Sequence, residues 1–522
     1  MNPTRQPHPA RAASRRIFGA LLVGAALALH GCATTNQSAA IADNAQLQPG
    51  EGVVAVRVIV VGSYVVSGIT VKSDNSEQTY NLMSVFYGQS DTVVFVGTLP
   101  AGRYQLLKMT SHAGTITRTT PLTGLTGKFD VEAGRATDLA TMIHVPLPNA
   151  DKANQIPTIA PNQHRWESRF ALPLDPTPVP IEKILAARYP AIAATVTQRS
   201  LLGWVPGTVP KQPEQIVRAA AALADVVAPP AFLGGGRALT GGRLGLVVDH
   251  RAGAKPTARA TGAVHEILAV MALKDGRWLA AGEEGYAAVS SDEGLRWQRL
   301  PGLQSDEIVI HMTQAPEGTV YLVAMSDHGT LVYSASPATL AWRLARALPS
   351  DRKLEHSFLN GPRQVDSAAS TRDRLVVYTH PETLNTMDLR TGQWTTEKTP
   401  RDFHLGLVTS PDGLVMGITP SMWVTGTPDY GKTWKRQDAW MKSTFPVFTD
   451  RDHGLVISAG ATEGQYQLRR TQDGGMTWTV EGPAAPLART GQSLWLAPDG
   501  QTFYTIQYGQ LRASSDRGRT WK

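Results

Sequence analysis

The chain has 522 residues, too many for one ordinary domain and enough for two or three. Hydrophobic residues make up 42%, and 48 Gly and 35 Pro beside only 18% charged residues favour many short strands and turns, so an all-β protein is expected. The net charge of +7 does not argue for a nucleic-acid partner: Arg5, Arg11, Arg15 and Arg16 hold four of the seven excess charges, leaving +3 after residue 31, and no later run of Lys and Arg follows. The single cysteine, Cys32, excludes an internal disulfide framework and a cysteine metal site.

Residues 1–31 have the three parts of an export signal: a basic start ending at Arg16, an apolar run from Ile17 to Leu29, and Gly31 just before Cys32. The apolar run is shorter than the about 20 residues that a membrane span needs, so cleavage is expected. Leu29-His30-Gly31-Cys32 resembles the bacterial lipobox, which implies that Cys32 carries lipid and tethers the mature chain to a membrane; Ala33 after it implies, by resemblance to lipoprotein sorting rules, the outer membrane. Ser14-Arg15-Arg16-Ile17-Phe18 resembles a twin-arginine export motif and reads equally as an ordinary basic start. Residues 32–50 are small and polar, as a tether is.

β-branched residues crowd from Val53 onward, and Leu99-Pro100-Ala101-Gly102-Arg103-Tyr104 is turn chemistry feeding a strand. That segment, with Phe129-Asp130-Val131-Glu132-Ala133-Gly134, resembles small Ig-like or prealbumin-like sandwich modules, so residues 51–148 are expected to form a β-sandwich. Residues 149–240 are Pro-rich and read as a connector. Ile181 to Gln198 is helical but broken by Pro190, and Pro213 to Ala228 is a second helix stopped by Pro229-Pro230.

From residue 241 one frame recurs: Ser/Thr, Asp two on, Gly four on, Trp seven on. It reads Ser290, Asp292, Gly294, Trp297; then Thr427, Asp429, Gly431, Trp434; then Thr471, Asp473, Gly475, Trp478; then Ser514, Asp516, Gly518, Trp521. Weaker copies end at Trp342 and Trp394, and the Trp spacings of 45, 52, 40, 44 and 43 residues are those of four-stranded propeller blades. A hairpin signal precedes each Trp: Lys274-Asp275-Gly276, Pro316-Glu317-Gly318, Arg372-Asp373-Arg374, Pro411-Asp412-Gly413, Asp452-His453-Gly454 and Pro498-Asp499-Gly500. Six blades over 241–522 are expected. Leu244 to Val248 is expected to complete the last sheet, because Trp521-Lys522 stops short of a full fourth strand.

The frame resembles the sialidase-type Asp-box (BNR) family, which implies a β-propeller with each box between the third and fourth strands of a blade. The family spans sialidases, other glycoside hydrolases, sortilin-like receptors and photosystem assembly factors, so it implies no single activity. In the frame, Asp accepts backbone hydrogen bonds, Gly takes an angle that other residues resist, and Trp buries a large ring, so the four box aspartates are expected to be structural. A sialidase needs an Arg triad, and Arg363, Arg401 and Arg451 are scattered. His265-Glu266 has Ala269 where a zinc protease needs its second His, and Gly234-Gly235-Gly236-Arg237 reads as a flexible joint because it lacks a phosphate loop's Lys. His311, His356, His380, His404 and His453 recur near blade starts or in loops. No catalytic residue, metal or cofactor is expected. The reading is a membrane-tethered protein that binds an unidentified envelope protein or a glycan without turning it over, and the alternative is a glycoside hydrolase acting on a glycan.

Overall fold

The computed structural model describes the chain from Asn36 to Lys522 apart from short stretches, the longer of which are residues 61–64, 86–92, 149–165, 172–180, 210–228, 351–355, 401–405, 419–423, 438–444, 460–465 and 485–493. Cys32, the leader and the expected helix at Pro213 to Ala228 lie outside the described residues.

The first domain is built from β1 (Asn36–Ser38), β2 (Glu51–Val60), β3 (Val65–Ser73), β4 (Thr79–Val85), β5 (Val93–Pro100), β6 (Gly102–Ala113), β7 (Ile116–Pro121), β8 (Lys128–Val131), β9 (Arg135–Pro148), β10 (Trp166–Ala171) and β11 (Gln198–Ser200). β4 is a corner. Its first half pairs with β3 and its second half with β5, so one strand joins two sheet wings. Alternation along β2 sends Val54, Val56 and Val58 into the core between the wings, where they meet Ile69, Phe95, Met109 and Phe129. The turn chemistry before Tyr104 is visible as its hydroxyl donating to the Pro100 carbonyl at 2.8 Å.

The opposite face of β2 and β5 is covered by α1 (Ile181–Arg188) and α2 (Pro190–Ala193), which bury Ile181, Ile184, Leu185 and Ile192 against Val53, Ala55, Val94 and Val96. The two helices break at Pro190, where the missing N–H stops the first. The helical part of the expected connector is therefore packed onto the first domain.

The second domain is a seven-bladed propeller. Six sheets have four antiparallel strands in sequence order, and the seventh has three, with Lys522 joined to Ala513 by two backbone bonds of 2.9 Å at the place where a fourth strand starts elsewhere. The innermost strands are Ala231–Gly234, Ile267–Ala272, Ile308–Gln314, Ser367–Ser370, Leu407–Thr409, Val447–Phe448 and Trp495–Leu496. The hairpin signals all fall between first and second strands.

The expected count of six is corrected to seven, and the first blade begins at Ala231, ahead of the expected boundary at residue 241. Leu244 to Val248 does not complete the last sheet: the strand Leu246–Arg251 pairs on both sides within blade one. Gly234, Gly235 and Gly236, expected to form a flexible joint, make the first hairpin turn of that blade with φ of 81°, 58° and 73°. The reason for the miscount is physical. Each of Trp297, Trp342, Trp394, Trp434, Trp478 and Trp521 packs into the apolar layer between its own blade and the preceding one. Seven blades make seven such layers, and the layer between blades seven and one has no box tryptophan: it uses Phe232, Tyr504, Ile506 and Leu511, with Trp495 from the innermost strand of blade seven against them. Counting box tryptophans misses that blade.

Candidate binding site in the central channel

The recurring frame closes one turn four times, between the third and fourth strands of blades two, five and six and after the third strand of blade seven. In blade six the Thr471 hydroxyl donates to Asp473 Oδ1 at 2.7 Å and accepts the Gly475 N–H at 2.7 Å. Asp473 then accepts the Thr477 N–H and hydroxyl at 2.9 and 2.6 Å. Ser290, Thr427 and Ser514 hold Asp292, Asp429 and Asp516 and the N–H groups of Gly294, Gly431 and Gly518 in the same way. The glycines have φ between 80° and 102°. At Gly431 a Cβ would stand 2.7 Å from the Glu397 Cβ. The Arg296 N–H and guanidinium hold the Asp292 carboxyl down to about 2, and the Thr520 hydroxyl and N–H hold Asp516 lower still. Each of the four carboxylates accepts hydrogen bonds from its own turn and is held below the usual carboxylate range.

The other singled-out residues do not converge. Arg451 is exposed and donates to the Asp412 carbonyl in the neighbouring hairpin at 2.9 Å. His453 pairs with Asp450, and the His380 N–H donates to Asp366. Arg363, Arg401, His404 and His265 lie outside the described residues, as does the side chain of His356.

What the blades do bring together is a channel. None of the seven innermost strands carries an Asp, Glu, Lys or Arg. His311 is their one titratable side chain; its Nε2 lies 2.7 Å from the Ser370 hydroxyl of the next blade, and burial pushes its pKa down to about 4, which leaves it neutral at pH 7. Among the described residues, carboxylates stand just ahead of these strands at Glu266, Asp306, Glu307 and Asp366; Asp306 is half-buried and the other three are buried. Glu307 accepts the Tyr333 hydroxyl at 2.5 Å and the Gln304 N–H, with burial raising its pKa, and Asp366 accepts the Ser350 hydroxyl, the Thr330 hydroxyl and the His380 N–H.

Along blades one to three the wall opens into a recess of about 620 Å³, lined by residues 229–232, 268–272 and 310–314 and by Lys274, whose ammonium donates to the Ala315 and Pro316 carbonyls. The innermost strands of blades two and three each carry a bulge here. Ile267 pairs with Gly282 and Ala269 with Ala281, so Leu268 is extra; Val309 pairs with Ala324 and His311 with Val323, so Ile310 is extra. Both are half-buried, both lie six residues before their hairpin signals, and neither was visible in the sequence as more than part of an apolar run.

No family model and no curated protein matches the chain. Among solved structures it is similar to YCF48 bound to D1 peptide, with 15% identity and a TM-score of 0.39 over 54% of this chain and 90% of that one. It is also similar to BamB from Moraxella catarrhalis, with 14% identity and a TM-score of 0.35 over 55% and 84%, and to virginiamycin B lyase from Staphylococcus aureus with quinupristin, with 10% identity and a TM-score of 0.41 over 55% and 93%. The seven blades themselves rest on this chain's own strand pairing. Among the described residues no helix is long and apolar enough to cross a membrane, and no group of His, Cys, Asp and Glu is placed to hold a metal ion.

Proposed function

We propose that this chain is an envelope lipoprotein, tethered to the outer membrane through lipid on Cys32, whose propeller holds a protein or glycan partner and catalyses nothing. The observation that carries the binding half is the uncharged inner wall: seven innermost strands without one carboxylate, ammonium or guanidinium. Hydrolysis of a glycoside needs two carboxylates facing the bond that breaks. Of the described carboxylates just ahead of the innermost strands, Glu307 and Asp366 are each only 1% exposed and already accept protein donors, and Glu266 is 5% exposed. The tether rests on the leader, on Cys32, and on the first domain as an Ig-like spacer between membrane and propeller. The repeated turns belong, in this reading, to an Asp-box (BNR) ring that serves as a rigid frame.

The test is a pair of measurements on the full chain. In-cell crosslinking followed by purification is expected to recover one stoichiometric envelope partner, and a screen of envelope and host glycans is expected to release no product. Replacing Cys32→Ser is expected to free the protein from membranes; unchanged membrane association would refute the tether.

A further inference from the structure

We infer that the recess beside blades one to three recognises an uncharged, extended polypeptide segment through its backbone and an apolar side chain, with Leu268 and Ile310 as the contact residues. This rests on the binding reading above and chooses between its two partner classes. Three observations carry it. First, every innermost strand is the inner edge of its sheet, so a row of N–H and C=O groups along Ile267–Ala272 and Ile308–Gln314 has no strand beside it, apart from the Ile267 N–H, which donates to the Gly242 carbonyl at 2.9 Å. Only another extended backbone satisfies such a row in register, and that is how edge strands take up peptides.

Second, the bulges in the channel wall of blades two and three coincide with the recess; blade one shifts register between Phe232 and Gly234, at its hairpin, and the described pairs of the innermost strands of blades four to seven show no shift. A bulge leaves one residue unpaired and re-aims its side chain. Leu268 and Ile310 are aliphatic and both line the recess; Ile310 also packs against the layer between blades three and four, and Met271 and Met312 against the layer between blades two and three, so Leu268 is the principal contact.

Third, the charge pattern sets the ligand's charge. Lys274, the one charged residue lining the recess, stands at its hairpin end with its ammonium held by the Ala315 and Pro316 carbonyls, and the innermost strands carry no cation or anion, so a charged side chain entering between the strands would be stripped of water without compensation. A glycan has no N–H and C=O groups repeating at the spacing of a strand and would leave most of the open row unmatched.

The experiment uses the full chain and defined probes: a fluorescein-labelled octapeptide alternating Val and Thr, the same peptide with two Val replaced by Glu, and a panel of neutral oligosaccharides, read by anisotropy and competition. The neutral peptide is expected to bind, the Glu peptide to bind at least tenfold more weakly, and Leu268→Asp to lose the neutral peptide by a similar factor. Ala272→Glu, placed on the recess wall where the side chain is half-buried, gives the same readout should Leu268→Asp fail to fold. No binding of the neutral peptide, equal binding by both peptides, binding untouched in both folded variants, or displacement by an oligosaccharide would each overturn the inference. If the full-length chain still captures its envelope partner while the peptide fails, the binding reading stands and the channel assignment alone falls.

Discussion

Phe232, on the innermost strand of blade one, packs against Tyr504, on the second strand of blade seven, with ring centroids 4.8 Å apart and planes inclined by 33°. The ring is closed there by side chains, since the four strands of blade one pair among themselves. Phe232→Ala is expected to lower unfolding free energy by about 2–3 kcal/mol, and a cycle with Tyr504→Ala to show coupling of roughly 1 kcal/mol. Additive effects in denaturant melts would mean that the ring is held elsewhere.

Removing the hydroxyl at the hub of one turn isolates what the frame contributes. Thr471 is 2% exposed, and its Oγ1 both donates to Asp473 and accepts the Gly475 N–H. Thr471→Val keeps the shape and is expected to cost about 1–3 kcal/mol, because two partners lose their bond. Thr471→Ser is expected to retain most of the stability, as Ser290 and Ser514 do the same work in their turns. Similar losses for both variants in thermal melts would place the effect in the methyl group.

Arg57 of the first domain and Glu284 of blade two form a buried ion pair, with side chains 4% and 10% exposed. Arg57→Ala leaves a carboxylate in low dielectric and is expected to cost about 3–5 kcal/mol, whereas Arg57→Met combined with Glu284→Gln is expected to cost much less. Chemical denaturation of the three proteins checks this, and an Arg57→Ala loss below about 1 kcal/mol would indicate that water reaches the pair.

Low pH tests the buried imidazoles. His250 is 2% exposed, its Nε2 lies 2.9 Å from the Thr240 hydroxyl, and burial lowers its pKa to about 4. The unfolded chain, with an ordinary imidazole near 6.5, binds the proton that the folded chain refuses. The stability is complete above about pH 6.5, falls as pH drops toward 4 and levels off below it. His250→Gln is expected to flatten that part of the stability curve, by at most roughly 3 kcal/mol. An unchanged slope between pH 6.5 and 4 would assign the acid sensitivity to other groups.

Six of the seven blades were legible because each has a tryptophan that fills an inter-blade layer, and a ring that large leaves a periodic mark. Blade one was not legible. Its layer with blade seven holds no box tryptophan, and the clasp that adds to the Trp297 layer at its boundary with blade two, Arg237 reaching Asp249 and Glu293 over the Trp278 ring at 5.1 Å, has no repeat to betray it. The role of the box aspartates could be read from their constant place beside Gly. The hub role of Ser290 and Thr427 needed the hydrogen bonds themselves. Leu268 and Ile310 were hidden for another reason: a bulge is a mismatch between the lengths of two paired strands, and one strand's sequence does not record where its partner skips a residue.

The most direct measurement is photo-crosslinking in cells with a benzophenone side chain at position 268 of the full-length chain, with the adduct mapped by mass spectrometry and a second probe at exposed Leu295 as the outer-surface control. Binding through the channel predicts an adduct at position 268 on an uncharged segment of one envelope polypeptide, absent in the presence of the neutral octapeptide. A glycan adduct at 268, or a polypeptide adduct at 295 alone, would contradict it.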